Sequence, residues 1–230
     1  MDKYPDSAAV QADHRNTYLL RLIIAAAAFA VFCLLHYLYT EEMLGDFDET
    51  IGEAVRSLRA PALDPFLKNI TLLGNWQCLV GIGIVILVMN LTRWRKADCY
   101  YAISAALINL GLYQILKHTI KRPRPDSLLW LIEEHGYSLP SGHSMNSIFC
   151  YGIMLYLIWR NTDDKKIRTF MTVLLCLIPL LVAFSRIYCG VHYPSDVLAG
   201  LCMGLGMLMV MTVLIDEIIL RQTISGRRKR

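Results

Sequence analysis

The sequence predicts an all-α, polytopic membrane protein of six transmembrane helices, with an amphipathic helix on the membrane surface between the first and the second. Three observations carry this. Hydrophobic residues make up 55% of the 230 residues and charged residues only 18%, with a mean hydropathy of +0.42. That balance is too apolar for an ordinary soluble domain, and the apolar residues are gathered into runs long enough to span a bilayer. Several of these runs are apolar all round, whereas the helices of a soluble core alternate apolar and polar faces. Finally, the net charge of +4 comes from basic residues that flank the runs. Basic flanks are the pattern of topology signals, not the stripe of a nucleic-acid-binding fold, so a nucleic-acid partner is excluded.

Taken in order, residues 1–17 are polar and read as a cytoplasmic tail. The first span covers 18–39, with Arg21 placed to snorkel to the interface. No small-residue cleavage site clearly follows it, so a retained helix is expected rather than a signal peptide. In the connection 40–69, Leu44, Phe47, Ile51, Val55 and Leu58 recur at spacings of three and four. Acidic residues come early there and Arg56 and Arg59 late, in keeping with the helix dipole. This is the expected surface helix; an extramembrane helix packed on a neighbour has the same pattern. Pro61 and Pro65 are expected to break it before the second span, 70–91. The third span is 99–116, the fourth 144–159, the fifth 170–184 and the sixth 197–220, with a polar loop at 118–143. The membrane domain is thus 18–220, and 221–230 is a basic cytoplasmic tail. Gly200 and Gly204 form a GxxxG that lets another helix approach closely, in this chain or in a second copy; the oligomeric state stays open.

Six spans put both termini on one side. Fifteen of the 23 Lys and Arg residues fall on that side and eight on the other, so the termini are expected in the cytoplasm. The seven cysteines are scattered singly without a CxxC pair, which predicts neither a structural disulfide nor a zinc site.

Three polar clusters then fall together on the extracytoplasmic face. Six residues separate Lys117 from Arg124, with Pro123 and Pro125 stiffening the end. Arg186 is a third cation beside a span, where charge is costly without a partner or a function. Converging cations imply an anion, and guanidinium fits phosphate oxygens with a planar fork. Lys121 and Arg122 read instead as anchors for lipid headgroups. In Pro140-Ser141-Gly142-His143, Ser141 can cap the fourth span, Gly142 lets backbone approach a ligand, and the exposed N–H groups form an anion site with His143 at its mouth. His192 and Asp196 flank Pro194, a residue favoured in the first turn of a helix. His192 should precede the sixth span and Asp196 lie in its first turn. There Asp196 can accept the proton-bearing ring nitrogen and leave the other nitrogen free as a nucleophile. An interfacial histidine with a dipole-stabilising aspartate is the alternative for that pair taken alone.

Together, Lys117…Arg124-Pro125, Pro140-Ser141-Gly142-His143 and Ser185-Arg186…His192…Asp196 resemble the three-part signature of the type 2 phosphatidic acid phosphatase (PAP2) superfamily, with every signature position matched. Residues 58–74 also resemble the approach to the second span in small bacterial members. The resemblance implies a six-span, metal-independent membrane lipid phosphatase with no cofactor. His192 would attack phosphorus and form a phosphohistidine, Asp196 would orient it, and His143 would protonate the leaving oxygen and then help activate water. Lys117, Arg124, Ser141, Gly142 and Arg186 would hold the phosphate oxygens, and Ser185 would support Arg186 or the phosphate. Fixed cations and backbone donors would supply the charge stabilisation that a metal supplies elsewhere. The implied substrates are phosphatidylglycerol phosphate, undecaprenyl pyrophosphate or phosphatidic acid, and the loop 126–139 with Glu133, Glu134 and Tyr137 is expected to shape the choice. A lipid phosphotransferase using the same histidine is the alternative within enzymology. A non-catalytic lipid-phosphate binding or transport protein would not need His143, His192 and Asp196 together. The vanadate-dependent haloperoxidases share the motifs but are soluble.

Overall fold

The computed structural model describes residues 7–92 and 96–228, with side chains over 15–89 and 97–222. Arg93, Trp94 and Arg95 of the expected basic turn, and the outermost ends of both expected tails, lie outside the described residues. Among the described residues there are eight α-helices and no strand: α1 (Ser7–Thr40), α2 (Gly45–Arg56), α3 (Leu63–Leu72), α4 (Trp76–Thr92), α5 (Lys96–Ile120), α6 (Gly142–Asn161), α7 (Lys165–Tyr188) and α8 (Pro194–Arg228). Helix α1 reaches back into the segment expected as a tail, and α8 runs on to Arg228, into the segment expected as the basic tail.

Four helical stretches are long and apolar enough to cross a membrane: 15–40, 97–120, 165–188 and 194–222. Helices α3 and α4 reach that length and hydropathy only when taken together, as one broken span or a re-entrant loop, bent by 51° at the break between them. The sequence placed a single span at 70–91; the chain instead forms two helices. Pro65 does not stop a helix but sits in the first turn of α3, where its missing N–H costs no hydrogen bond. The break falls at Leu73-Gly74-Asn75, and the site makes use of it.

Helix α6 is not among the four, because Ser144, Asn146 and Ser147 dilute its first turns. It is nonetheless the buried centre of the bundle, packed against α7 and α8 through Met145, Phe149, Ile153 and Leu157. Gly200 and Gly204 explain how α8 comes so close. A Cβ on Gly200 would lie 2.6 Å from the Ser141 carbonyl oxygen, and one on Gly204 would lie 2.4 Å from that of Met145. Both obstacles are backbone, so the GxxxG serves contact within the chain.

At the end remote from the motifs, ionic groups tie four helices. Arg21 of α1 pairs with Asp216 of α8 at 2.8 Å. Arg160 of α6 reaches Asp98 of α5 at 3.2 Å and also pairs with Asp216, which accepts a hydrogen bond from Tyr156 at 2.8 Å. At the motif end, Arg59 donates to the carbonyls of Tyr188 and Leu129, and the Tyr188 hydroxyl donates to Asp64 at 2.6 Å. A charged clamp at each end thus brackets an apolar middle.

Candidate active site

The motif end gathers the end of α5, the loop 121–141, the start of α6, the end of α7 and the start of α8. Arg124 is held by three carbonyls before it meets any other side chain: Gly136 at 3.0 Å, His135 at 2.9 Å and Val191 at 2.8 Å. Its Nη1 also lies 3.0 Å from His192 Nε2. A guanidinium only donates, so Nε2 presents its lone pair and the ring proton sits on Nδ1. Burial, reinforced by Arg124, Arg186 and Lys117, keeps His192 well below its ordinary pKa and hence neutral.

Nδ1 faces Ser138 Oγ at 3.2 Å and Asp196 Oδ2 at 3.5 Å. The second distance exceeds a good hydrogen bond. The direct His192–Asp196 bond expected from sequence is therefore routed through Ser138, whose hydroxyl donates to Asp196 Oδ2. The same carboxylate accepts from Tyr193 N at 2.9 Å and Arg122 Nη1 at 2.7 Å.

His143 Nε2 donates to Asn75 Oδ1 at 2.6 Å. Asn75 is available because the chain breaks between α3 and α4. Gly74 makes room there, since a Cβ on it would stand 2.9 Å from His143 Cδ2. Lys117 Nζ donates to the Tyr113 hydroxyl at 2.8 Å. Arg186 is fully buried: Nη1 donates to Thr71 Oγ1 at 2.8 Å and Nη2 pairs with Glu134. Its Nε has no hydrogen-bond partner among the described residues. The Glu134 carboxylate also stands 3.8 Å from Arg124, so it lies between two of the cations. Burial alone would raise its pKa, but Arg186, with Arg124, outweighs burial and holds it below the usual range.

Lys117, Arg124, Gly142, His143, Arg186 and His192 all line one cavity of about 910 Å³. The same cavity is also lined by apolar side chains of α4 and α5, among them Val80, Ile84 and Leu87 and Ala106, Leu107 and Leu110. Three cations against Glu134 leave the polar end positive, as a phosphate dianion requires. Among the described residues no group of His, Cys, Asp and Glu side chains could hold a metal ion.

The remaining expected site residues lie behind the cavity wall. Ser141 occupies the cap position of α6 but makes no side-chain cap bond; its Oγ accepts from Ser144 at 3.0 Å, and its N–H donates to the Asp196 carbonyl at 3.0 Å. Ser185 donates to the Val182 carbonyl of its own helix at 2.6 Å and supports neither Arg186 nor the cavity. Arg122 is the clearest departure. Expected as a headgroup anchor, it is buried and ion-paired to Asp48 and Asp196. A signal for it existed: Pro123 holds this stretch extended, and residues i and i+2 of an extended chain share a face. If Arg124 turns toward the start of α8, so does Arg122.

A family model described as the PAP2 superfamily matches residues 98–219 of this chain. The phosphatidylglycerophosphatase B of Bacillus subtilis is 34% identical over 160 residues, covering 69% of this chain and 78% of its own. An undecaprenyl-diphosphatase of Sulfolobus acidocaldarius is 32% identical over 130 residues, 54% of this chain and 58% of its own. Among solved structures, the transmembrane PAP2-type phosphatidylglycerolphosphate phosphatase from Bacillus subtilis superposes with a TM-score of 0.78 at 29% identity. That match covers 84% of this chain and 96% of the other.

Proposed function

The chain belongs to the PAP2 superfamily, and on that premise we propose that it is a metal-independent membrane phosphatase that hydrolyses a lipid phosphate or pyrophosphate through a phosphohistidine on His192. The observation that carries this reading is one cavity with two ends. A histidine whose Nε2 lone pair accepts from Arg124 stands at the polar end with Lys117 and Arg186, where a bound phosphate would draw Arg124 off it, and apolar side chains of α4 and α5 suited to an acyl or prenyl tail line the rest.

The phosphate binds among Lys117, Arg124, Arg186 and the start of α6 at Gly142, displacing the Glu134 carboxylate from between the guanidinium groups. The spare Nε donor of Arg186 and the N–H groups at the α6 N-terminus suit its oxygens. The Nε2 lone pair of His192 attacks phosphorus, and the bond from phosphorus to the leaving lipid oxygen breaks. His143, protonated when the dianion fills the cradle, gives that oxygen its proton. The positive charge on the phosphorylated imidazole is answered by Asp196 through the Ser138 hydroxyl. In the second step water loses a proton to His143 and attacks phosphorus, the N–P bond breaks, and its electron pair returns to Nε2. Between turnovers the His143 Nε2–H is held by Asn75 Oδ1.

The charge pattern of the sequence supports the following membrane arrangement. Helix α6 and the bent pair α3–α4 join the four long helices as the fifth and sixth spans. The termini and the Arg21–Asp216–Arg160 clamp lie on the cytoplasmic side, and the cavity opens on the extracytoplasmic side. Helix α2 lies along that surface with Phe47 and Ile51 exposed toward lipid and Leu44 and Asp48 turned inward. The names of the relatives make phosphatidylglycerol phosphate and undecaprenyl pyrophosphate the leading substrates, with phosphatidic acid a third.

Phosphate release by the purified protein in detergent, across these three lipids, tests the activity. Release is expected to survive chelation and to fall with orthovanadate, which mimics the five-coordinate phosphorus. Strict dependence on a divalent cation would exclude the mechanism, and transfer of phosphate to a second lipid without net release would favour a phosphotransferase. Orientation has a separate check. A Ser127→Cys variant, exposed on the polar loop, is expected to react with an impermeant maleimide on intact cells above the background of the native cysteines. Reaction only after permeabilisation would reverse the assigned topology.

A further inference from the structure

The signature residues do not explain why α2 is built into the site. Asp48 of α2 is 3% exposed and accepts three hydrogen bonds: Arg122 Nη2 at 2.7 Å, Ser195 Oγ at 2.7 Å and Ser195 N at 2.8 Å. The Ser195 N–H is one of the unpaired donors of the first turn of α8. Tyr193, which precedes that helix, is not a capping residue type, so Asp48 supplies the anion from another helix. Arg122 in turn divides its charge. Nη2 faces Asp48, while Nη1 donates to Asp196 Oδ1 at 2.7 Å and to Ser195 Oγ at 2.8 Å. Its guanidinium lies 4.8 Å from the Tyr39 ring and 4.1 Å from that of Tyr193. A chain of contacts therefore runs from α2 through Arg122 to Asp196, and from there through Ser138 to His192.

We propose that Asp48 is a positioning residue for the reaction: through Arg122 and Ser195 it fixes the start of α8 and balances the positive charge beside Asp196, so that Asp196 keeps its negative field on the His192 proton. The proposal rests on the reading of His192 as nucleophile and Asp196 as its orienting partner. With Asp48 neutral, the whole charge of Arg122 falls on Asp196. The carboxylate then stabilises the phosphorylated imidazole less, and its position is fixed by fewer bonds. Asp48 does not line the cavity, so the loss belongs to the chemical step and not to binding.

The test is the kinetics of Asp48→Asn on the purified protein, with Asp196→Asn and the double variant. A fall in kcat of about 10- to 100-fold is expected, the size of a small misplacement in a catalytic group, with KM and orthovanadate inhibition within twofold of the parent. In the Asp196→Asn background the same change should cost less than about threefold, because the route is already cut. A folded Asp48→Asn protein with parental kcat overturns the proposal. So do losses that multiply independently, or a change in KM with kcat intact. If Asp48→Asn does not fold, Ser195→Ala decides: it removes only the hydroxyl shared by Asp48 and Arg122, and kcat should fall about fivefold, the worth of one hydrogen bond. Parental kcat there overturns the proposal. His192→Ala separates the two readings. Activity in that variant refutes the nucleophile, whereas inactivity there with full activity in Asp48→Asn refutes this inference alone.

Discussion

His192→Ala is expected to lower turnover by at least about 10⁴-fold, equivalent to roughly 5 kcal/mol of barrier. The size follows from what is left behind. The other nitrogen groups at the polar end are engaged: Lys117 with Tyr113, His143 with Asn75, and Arg186 with Thr71 and Glu134. On the proposed mechanism Nε2 of His192 is the nucleophile, so the variant would retain only electrostatic stabilisation of attack by water. The cradle itself should persist, because the carbonyls of His135, Gly136 and Val191 hold Arg124 without the histidine. Orthovanadate binding that stays within a few-fold of the parent would separate loss of chemistry from loss of fold. A variant that keeps more than a tenth of parental turnover would remove His192 from the nucleophile's role.

Asp196→Asn is expected to cost about 10³-fold in kcat with little change in KM. One carboxylate oxygen takes the Ser138 hydroxyl and the Tyr193 N–H, and the other takes Arg122. An amide puts NH₂ against donors on one side or the other. On the proposed mechanism it also removes the charge that would answer a phosphorylated imidazole. Breaking a buried ion pair from one end typically costs 3–5 kcal/mol of stability. Arg122 keeps Asp48 as a partner, which should hold the loss to the low end of that range. The checks are steady-state kinetics with thermal unfolding in detergent. Parental kcat in a folded Asp196→Asn protein would sever Asp196 from the mechanism.

The helical class was legible because it rests on local pattern: long apolar runs, basic flanks, and proline at the start of α8. So was the convergence of Lys117, Arg124, Gly142, His143, Arg186 and His192 on one cavity, since fixed spacings carry those positions. What sequence hid are the partners. Asp48 and Arg122 are 74 residues apart in the chain, His143 and Asn75 68, and His192 and Ser138 54. Nothing near Asp48 marks it out from the other acids of its helix. The apolar repeat Leu44, Phe47, Ile51, Val55 and Leu58 is legible, but which side of it meets the protein is not: Asp48 is buried there, paired with Arg122, while Phe47 and Ile51 are exposed. The break at Leu73-Gly74-Asn75 was hidden by the apolar residues on either side, and it is what brings Asn75 to His143. Ser185 failed for the opposite reason. It belongs to the signature by position, yet one turn of its own helix satisfies its hydroxyl.

The central claim is a covalent phosphohistidine at His192. Rapid acid-free quenching of the purified protein with a ³²P-labelled lipid phosphate tests it most directly, with the labelled protein digested and the phosphopeptide mapped. A transient label is expected that is stable to base, lost in acid, and carried by the peptide containing His192. Turnover without any labelled protein, or an acid-stable label on another residue, would contradict it.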